Sequence, residues 1–185
     1  MLDAGVRPLS FPAEGIRREG LLFRLPTTDD VETLAPAFLD EELAGAANLP
    51  RLDVGELRAL ASKVPQLLEQ GIFLPLLVVD PETGEIQGGG VLHHVDWQRD
   101  QAEIGYWLFE HARGRGTATR TARFLTEHGF SLGLQRIEAR VNVGNAASER
   151  VLERVGFTRE GVLRSMTQRD GNRIDQIVFS LLPGE

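Results

Sequence analysis

Residues 102–130 read AEIGYWLFEHARGRGTATRTARFLTEHGF, and this stretch decides the fold. Over residues 103–108 apolar side chains alternate with other residues, which predicts a strand. From residue 117 to about residue 130 apolar residues recur at helical spacing, which predicts a helix. Between the two lie residues 111–116, whose glycines indicate a tight turn. A strand, a glycine turn and a helix therefore follow one another directly.

The turn between this strand and this helix has features of an anion-binding site. Gly114 and Gly116 would let the backbone approach a ligand without a Cβ in the way. The N–H groups of the first helical turn, from Thr117 onward, have no partner within the helix, and the helix dipole favours negative charge there. Positive charge in a segment without acids comes from Arg113, Arg115, Arg120 and Arg123. Phosphate binding and a tight turn with solvated arginines both remain open at this stage.

The composition is that of an acidic globular protein. Its 185 residues suffice for one domain over residues 1–185, with residues 1–19 as a polar lead-in segment. A net charge of −7 gives no support for a nucleic-acid partner. The absence of cysteine excludes disulfides, thiolate catalysis and cysteine-ligated zinc. Neither a signal peptide nor an apolar run of membrane-spanning length is visible, so we expect a cytoplasmic protein with no membrane partner.

Periodicity and turn residues predict a mixed α/β order for the whole chain. Strands are predicted at residues 21–25, 73–79, 86–95, 102–109, 136–141, 158–168 and 173–182. Helices are predicted at residues 31–38, 53–70, 117–130 and 146–154. The strand–helix–strand unit centred on residues 117–130 implies that its two strands pair in parallel. In the third strand, Gly88–Gly90 predict a bulge or a close backbone approach.

Other cofactor motifs fit the sequence poorly. The segment Gly114-x-Gly116-x-x-Thr119 lacks the third glycine of a dinucleotide-binding fingerprint, and no Gly-Lys-Ser/Thr follows as a Walker A loop requires. His93 and His94 are adjacent in a predicted strand, so we expect them to face opposite sides of the sheet and to share no metal ion. We therefore expect no metal site.

Several motifs follow one another along the chain: residues 25–34 with Asp29 and Asp30, Glu103–Leu108, Arg113–Gly116, Asn142, Asn145–Ser148, Gly156–Phe157 and Glu160–Arg164. In this order they resemble the GNAT N-acetyltransferase superfamily and are similar to its RimJ/RimL group of ribosomal-protein N-acetyltransferases. The resemblance covers about residues 21–182, which is nearly the whole chain. One departure is His111, which stands where the superfamily has Gln or Arg before the glycines.

The resemblance implies a fold and a co-substrate. The fold is mixed α/β, with a mostly antiparallel sheet, a splayed central pair of parallel strands and helices on both faces. The co-substrate is acetyl-CoA. Its pyrophosphate would bind mainly to backbone N–H groups of Arg113, Gly114, Arg115, Gly116, Thr117 and Ala118. Its pantetheine arm would lie between the splayed strands, beside Gly105, Tyr106 and Trp107 on one side and Asn142 and Asn145 on the other.

The resemblance also implies direct transfer of an acetyl group to an amine. Glu103 is the first choice as general base, directly or through water, with Asp175 and Glu138 as lesser candidates. Ser148 is the candidate proton donor to the leaving thiolate. Asn145 is equally placed to cap the helix that follows it. The side chain of Tyr106 shares a strand face with apolar residues, which favours a place in the core.

The sequence does not decide the chemical class of the acetyl acceptor. A protein N-terminus, as in the RimJ/RimL group, and a small amine such as a polyamine, an amino acid or an antibiotic are both compatible with the resemblance. A non-catalytic acyl-CoA-binding module is the alternative, and a homodimer and an acyl group longer than acetyl also stay open. The acids Asp40, Glu41, Glu42, Asp53 and Glu56 suit either a cationic amine or a solvated helix face.

Overall fold

The computed structural model describes residues 7–185, in which a sheet of eight strands is flanked by five α-helices. The strands are β1 (Ile16–Arg18), β2 (Leu21–Arg24), β3 (Leu74–Val79), β4 (Ile86–Asp96), β5 (Gln101–Leu108), β6 (Arg136–Asn142), β7 (Thr158–Arg169) and β8 (Asn172–Leu181). The helices are α1 (Val31–Leu39), α2 (Glu41–Ala46), α3 (Val54–Glu69), α4 (Thr117–Ser131) and α5 (Ala146–Val155). Within this described range no helix is both long and apolar enough to cross a membrane.

The sheet contains one parallel strand pair at its centre. Its order is β1-β2-β3-β4-β5-β6-β8-β7, and every neighbouring pair is antiparallel except β5 and β6. The parallel pairing ends where Ile104 meets Ala139, although the strands continue to Leu108 and Asn142. The predicted mixed, mostly antiparallel sheet with a splayed central pair is therefore confirmed.

Because successive side chains of a strand point to opposite faces, apolar residues pack into cores on both faces of the sheet. On one face, Leu76 and Val78 of β3 belong to a core that also contains residues of α4 and α5, among them Leu125 and Leu152. On the other face, a smaller core combines residues of α1, β3, β4 and β5: Leu34, Ala37, Leu77, Val79, Ile86 and Trp107. Helices therefore cover both faces, as predicted.

The glycines of β4 let neighbouring elements approach this strand closely. A Cβ at Gly88 would lie 2.2 Å from the carbonyl oxygen of Trp107, and a Cβ at Gly90 would lie 2.9 Å from Leu125 Cδ1. The register of β3 against β4 also shifts between Val78 and Val79. The predicted close backbone approach is confirmed, whereas the register shift lies just before the glycines, at Gln87.

The ends of the helices follow local capping residues. Asp53 and Glu56 form a capping box at the start of α3, and the left-handed Gly156 (φ +111°) ends α5. The four helices predicted from the sequence begin and end within one residue of α1, α3, α4 and α5. Helix α2 was not predicted, because its six residues span less than two turns and give no clear periodicity.

Part of the expected lead-in segment has structure of its own. Residues Ile16–Arg18 form β1, which pairs with β2 at the edge of the sheet. Upstream of it, Leu9 is only 2% exposed, and its N–H donates a hydrogen bond to the carbonyl oxygen of Leu68. A strand of three residues is too short for alternation to reveal it, so β1 was not predicted from the sequence. Residues 1–6 of the lead-in lie outside the described residues.

The close packing of β4 against β5 predicts a strong effect of one added methyl group. Replacing Gly88 by Ala should lower the free energy of unfolding by about 1–3 kcal/mol or more, because the new Cβ would meet backbone atoms of β5 that are held by the strand ladder. The matched control is Gly161→Ala in β7, where nothing lies within 4 Å of the added Cβ. We expect the control to change stability by at most about 0.5 kcal/mol. Urea denaturation would measure both, and equal losses would contradict the prediction.

Candidate active site

The turn before α4 has the geometry that the sequence predicted. Gly114 (φ +74°) and Gly116 (φ +76°) both adopt the left-handed conformation that favours glycine. Gly116 is the N-cap of α4 and offers no side chain to the first helical turn. No atom lies within 4 Å of a Cβ built on either glycine, so the space in front of the turn is open. This turn fits a phosphate group, and that role stays a prediction.

The four arginines near this turn do not act as one cluster. Arg120 donates to the carbonyl oxygen of Glu19 (2.8 Å), and Arg123 binds the Glu19 carboxylate at 3.1 Å. Arg113 folds back, with its Nε 3.3 Å from the carbonyl oxygen of Leu108. Arg115 is exposed and forms no ion pair with any residue from 7 to 185. An acid about a hundred residues away thus reduces the positive charge that the local segment suggested.

The gap between β5 and β6 opens toward the starts of α4 and α5. Beyond Ile104, β5 is paired only with β4, and beyond Ala139, β6 is paired only with β8. The backbone edges that face each other across the gap therefore form no strand ladder. These edges contain Gly105, Tyr106 and Trp107 on one side and Asn142 on the other, the residues expected beside a pantetheine arm. The side chain of Trp107 is buried in the smaller core.

On the α4/α5 face of this gap, two hydroxyl groups meet. The hydroxyl of Tyr106 lies 2.9 Å from Ser148 Oγ, within hydrogen-bond distance. Burial raises the pKa of Tyr106 from 10.0 to about 12, while the hydrogen bond with Ser148 acts in the opposite direction. The ring also packs against the larger core, as the sequence favoured. The contact with Ser148 was missed, because no local pattern links residues 42 positions apart.

The two asparagines of the site are held by the segment 45–48. Asn145 Oδ1 accepts a hydrogen bond from Ser148 N at 3.1 Å, which is the capping role, and its Nδ2 donates to the carbonyl oxygen of Ala46. Asn142 Nδ2 donates to the carbonyl oxygen of Gly45 (3.1 Å) and to Asn48 Oδ1 (2.9 Å). The sequence contained no signal for these contacts. A role of either asparagine toward pantetheine stays a prediction.

Glu103 lies on the opposite face of the sheet from Ser148. Its side chain is only 11% exposed, and it is the centre of a charged group. Its carboxylate contacts Arg140 Nε at 3.4 Å, His94 Nδ1 at 3.2 Å and His93 Nε2 at 3.8 Å. The Nε of Arg140 is buried and has no hydrogen-bond partner among the described residues. The Arg140 side chain as a whole is 26% exposed and lines the cavity between the sheet, α1 and α3, so its guanidinium is accessible to an acceptor atom of a ligand.

The lesser candidates for the base are placed differently. Glu138 pairs across the parallel strands with Glu103, and its carboxylate binds Arg136 at 2.8 Å. Asp175 accepts a hydrogen bond from Ser165 N within the β7–β8 hairpin. Neither of them lines the cavity described below, whereas Glu103 does.

The expectation that His93 and His94 face opposite sides of the sheet is wrong. His94 adopts a left-handed backbone (φ +50°) at a register shift between β4 and β5, and this bulge turns its ring to the side of His93, with the ring centroids 4.4 Å apart. Donor atoms of both rings and of Glu103 lie within 4.8 Å of one another. The guanidinium of Arg140 beside the same carboxylate would repel a cation. The absence of a metal stays a prediction.

A cavity of about 310 Å³ lies between the sheet and the helices α1 and α3. Most of its wall is apolar, including Val31, Leu34, Phe38, Leu49, Leu57, Leu60, Ala61, Val64 and Trp107. Its polar end is formed by Glu103, His93 and Arg140, and it reaches Gly105 at the edge of the gap. Burial lowers the pKa of His93 below its ordinary value, although the charge of Glu103 opposes this, so the ring is neutral at physiological pH.

The five acids considered for a cationic amine, Asp40, Glu41, Glu42, Asp53 and Glu56, do not line this cavity. Asp40 caps α2, and Asp53 and Glu56 cap α3. Glu41 binds Arg51 at 3.0 Å, and Glu42 is exposed. These contacts favour the solvated helix face over a site for a cationic amine.

Comparison with known proteins points to one family. A family model described as an acetyltransferase (GNAT) domain matches residues 20–158. The chain is 32% identical over 174 residues to the uncharacterized N-acetyltransferase p20 of Bacillus licheniformis, a match that covers 93% of this chain and 98% of that protein. It is 37% identical over 103 residues to the putative ribosomal N-acetyltransferase YdaF of Bacillus subtilis, covering 55% and 56% of the two chains. The structure of Mycobacterium smegmatis RimJ in complex with CoA-disulfide is similar with a TM-score of 0.76 and 26% identity, covering 96% of this chain and 87% of that chain.

The environment of Tyr106 predicts an unusual titration. Tyr106 is the only tyrosine of the chain, so absorbance at 295 nm reports it alone. We expect its pKa to be about 12 in the folded protein. In Ser148→Ala the pKa should rise further, because the hydrogen bond that favours the phenolate is lost. Since the folded pKa lies above that of the unfolded chain, stability should fall as the pH rises above about 10. A pKa near 10 while circular dichroism still reports folded protein would contradict the prediction.

Proposed function

Since the chain belongs to the GNAT acetyltransferase family and is an N-acetyltransferase, we propose that it transfers the acetyl group of acetyl-CoA to a protein N-terminal amine. The observation that carries the proposal is the gap between β5 and β6. Glu103 lies on one face of the sheet beside this gap, and the Ser148–Tyr106 hydroxyl pair lies on the other. The similarity to a putative ribosomal N-acetyltransferase supports the choice of a protein acceptor.

Acetyl-CoA would bind from the turn before α4 into the gap. The pyrophosphate would accept hydrogen bonds from backbone N–H groups of residues 113–118, where the uncapped helix start and its dipole favour an anion. Arg113 and Arg115 are the arginines of this segment that are not engaged with Glu19. The pantetheine arm would lie along the unpaired edges at Gly105–Trp107 and Asn142 and supply them with hydrogen-bond partners.

The reaction would begin with deprotonation of the acceptor amine. An N-terminal amine has a pKa of about 8 and is largely protonated at neutral pH, so a base must remove a proton before attack. Glu103 would take this proton, directly or through water. His94 would pass it to solvent, because its ring contacts Glu103 at 3.2 Å and is 68% exposed.

The amine nitrogen would then attack the thioester carbonyl, form the new C–N bond and expel the thiolate as the C–S bond breaks, and the nitrogen would lose its second proton to solvent to give the neutral amide. Ser148, hydrogen-bonded to Tyr106, would give a proton to the leaving sulfur and regain one from solvent. The pKa of Tyr106 is raised to about 12, so this phenol stays protonated at physiological pH and can donate a hydrogen bond to Ser148 Oγ as Ser148 gives up its proton. Release of free thiol from acetyl-CoA in the presence of short peptides, with N-terminally blocked peptides as the control, tests the function.

A negative charge in the first turn of α4 should separate cofactor binding from folding. Ala118→Asp should stabilise the helix by about 0.3–1 kcal/mol through the dipole, yet weaken CoA binding by at least about tenfold through repulsion of the pyrophosphate. The matched control is Ser131→Asp at the exposed C-terminal end of the same helix, which should lower the melting temperature and leave CoA affinity unchanged. Calorimetry with CoA measures both. Wild-type affinity in Ala118→Asp would remove this turn from the site.

The role of the base can be tested by removing its charge. Glu103→Gln should reduce turnover by about 10²-fold and flatten the rise of rate with pH, because no carboxylate then accepts the amine proton. Its affinity for CoA should not change. Glu138→Gln provides the comparison, since it removes the same charge from the neighbouring position on β6. If Glu138→Gln loses turnover and Glu103→Gln does not, the role belongs to Glu138.

A further inference from the structure

We propose that the acceptor presents an α-amino-acid unit with a large apolar side chain. Its amine lies at Glu103, its carbonyl oxygen accepts a hydrogen bond from Arg140, and its side chain fills the cavity between the sheet, α1 and α3. The proposal rests on the proposed acetyl transfer and names the chemistry of the acceptor.

The cavity wall determines which side chain fits. Its volume of about 310 Å³ lies at the lower end of the range for small-molecule sites, roughly 300–1,000 Å³. The walls contributed by α1 and α3 are apolar, from Val31 and Phe38 on one helix to Leu60 and Ala61 on the other. Burial of a large apolar side chain there is favourable. A small side chain would leave part of the cavity empty, and a charged side chain would be buried without a partner. A Phe-, Leu- or Met-like acceptor is therefore favoured over Ala, Ser or Asp.

The polar end of the cavity determines what is attached to the amine. Arg140 lines the cavity with a side chain that is 26% exposed, and its Nε lies 3.4 Å from Glu103 Oε2. A guanidinium has five N–H donors, so its accessible part offers a donor to a ligand oxygen beside Glu103. An amine and a carbonyl group attached to the same α-carbon place the nitrogen and the oxygen close enough to reach Glu103 and Arg140 together. That arrangement is the α-amino-acid backbone.

Polyamines match this cavity poorly. A second ammonium group needs a second carboxylate, and Glu103 is the single acidic residue among the described residues that line the cavity. The mostly apolar walls of the cavity also offer no compensation for burying the charge of that ammonium group. The same α-amino-acid chemistry is available from the N-terminal residue of a peptide and from a free amino acid, which differ in whether Arg140 meets a carbonyl or a carboxylate.

The first experiment compares acceptors with the wild-type protein in a thiol-release assay with acetyl-CoA. The panel contains phenylalaninamide, alaninamide, phenethylamine, spermidine, free phenylalanine and a peptide with N-terminal Phe. We expect kcat/KM for phenylalaninamide to exceed those for alaninamide, phenethylamine and spermidine by at least about tenfold each. The ratio of kcat/KM for the peptide to kcat/KM for free phenylalanine shows whether the acceptor is a peptide N-terminus or a free amino acid. Preference for spermidine or alaninamide overturns the proposal but leaves acetyl transfer intact, whereas no thiol release with any amine removes the proposed function as well.

The second experiment fills the cavity. Ala61→Phe should lower kcat/KM for phenylalaninamide by at least about tenfold and change that for alaninamide much less, because the added ring takes the space of the acceptor side chain. The matched control is Ala59→Phe, an exposed position on the same helix, which should keep the wild-type preference. The variants are also assayed with acyl-CoA esters of increasing chain length. If Ala61→Phe changes the preferred acyl length and leaves the acceptor preference as in the wild type, the cavity holds the acyl chain and the proposal is wrong.

The third experiment tests the hydrogen bond from Arg140 through a ratio of substrates. Phenylalaninamide and phenethylamine share the amine and the ring but differ in the carbonyl group. Arg140→Gln should reduce the preference for phenylalaninamide from at least about tenfold to near unity. Because both substrates are measured on one variant, a general loss of activity or stability cancels in the ratio. An unchanged ratio contradicts the assignment of Arg140.

Discussion

The structure depends on the point at which β5 and β6 stop pairing. Before Ile104 and Ala139 the two strands share a ladder, and beyond them each strand is paired only with its outer neighbour. Backbone N–H and C=O groups inside a protein need partners, so an open edge at the centre of a sheet is costly unless something occupies it. At one end of the gap, the segment 45–48 accepts hydrogen bonds from the side chains of Asn142 and Asn145. An extended ligand laid along the edges would supply partners to the rest, which is why the gap, more than any single side chain, indicates a binding site.

The same parallel pairing creates an electrostatic problem on the α1/α3 face. Its register places Glu103 directly beside Glu138, and like charges in such a pair destabilise a sheet. Arg136 and Arg140, which flank Glu138 on β6, offset this repulsion by contacting the two carboxylates. Arg136 also binds Glu160 and holds the pKa of that carboxyl at about 2. Arg140 contacts no third carboxylate among the described residues, and its side chain lines the polar end of the cavity.

The sequence predicted those features that depend on neighbouring residues. The ends of α3 follow from Asp53 and Glu56, and the parallel pair follows from one strand–helix–strand unit. Contacts between distant residues were not predictable, because nothing local encodes that Tyr106 meets Ser148. The predicted orientation of His94 was wrong for another reason. Strict alternation assumes a regular strand. At this bulge, the positive φ of His94 turns its side chain to the face that alternation assigns to the neighbouring residue.

Alternation within β5 also explains how one strand can serve both halves of an acetyl transfer. Glu103 and Tyr106 are three positions apart, so their side chains must point to opposite faces of the sheet. The proposed reaction removes a proton from the amine and delivers one to the sulfur. A base and a proton donor in direct contact would hydrogen-bond to each other instead of to the reactants. Separation by the sheet prevents this contact, and the gap beside Gly105 is where groups from both faces approach the same point.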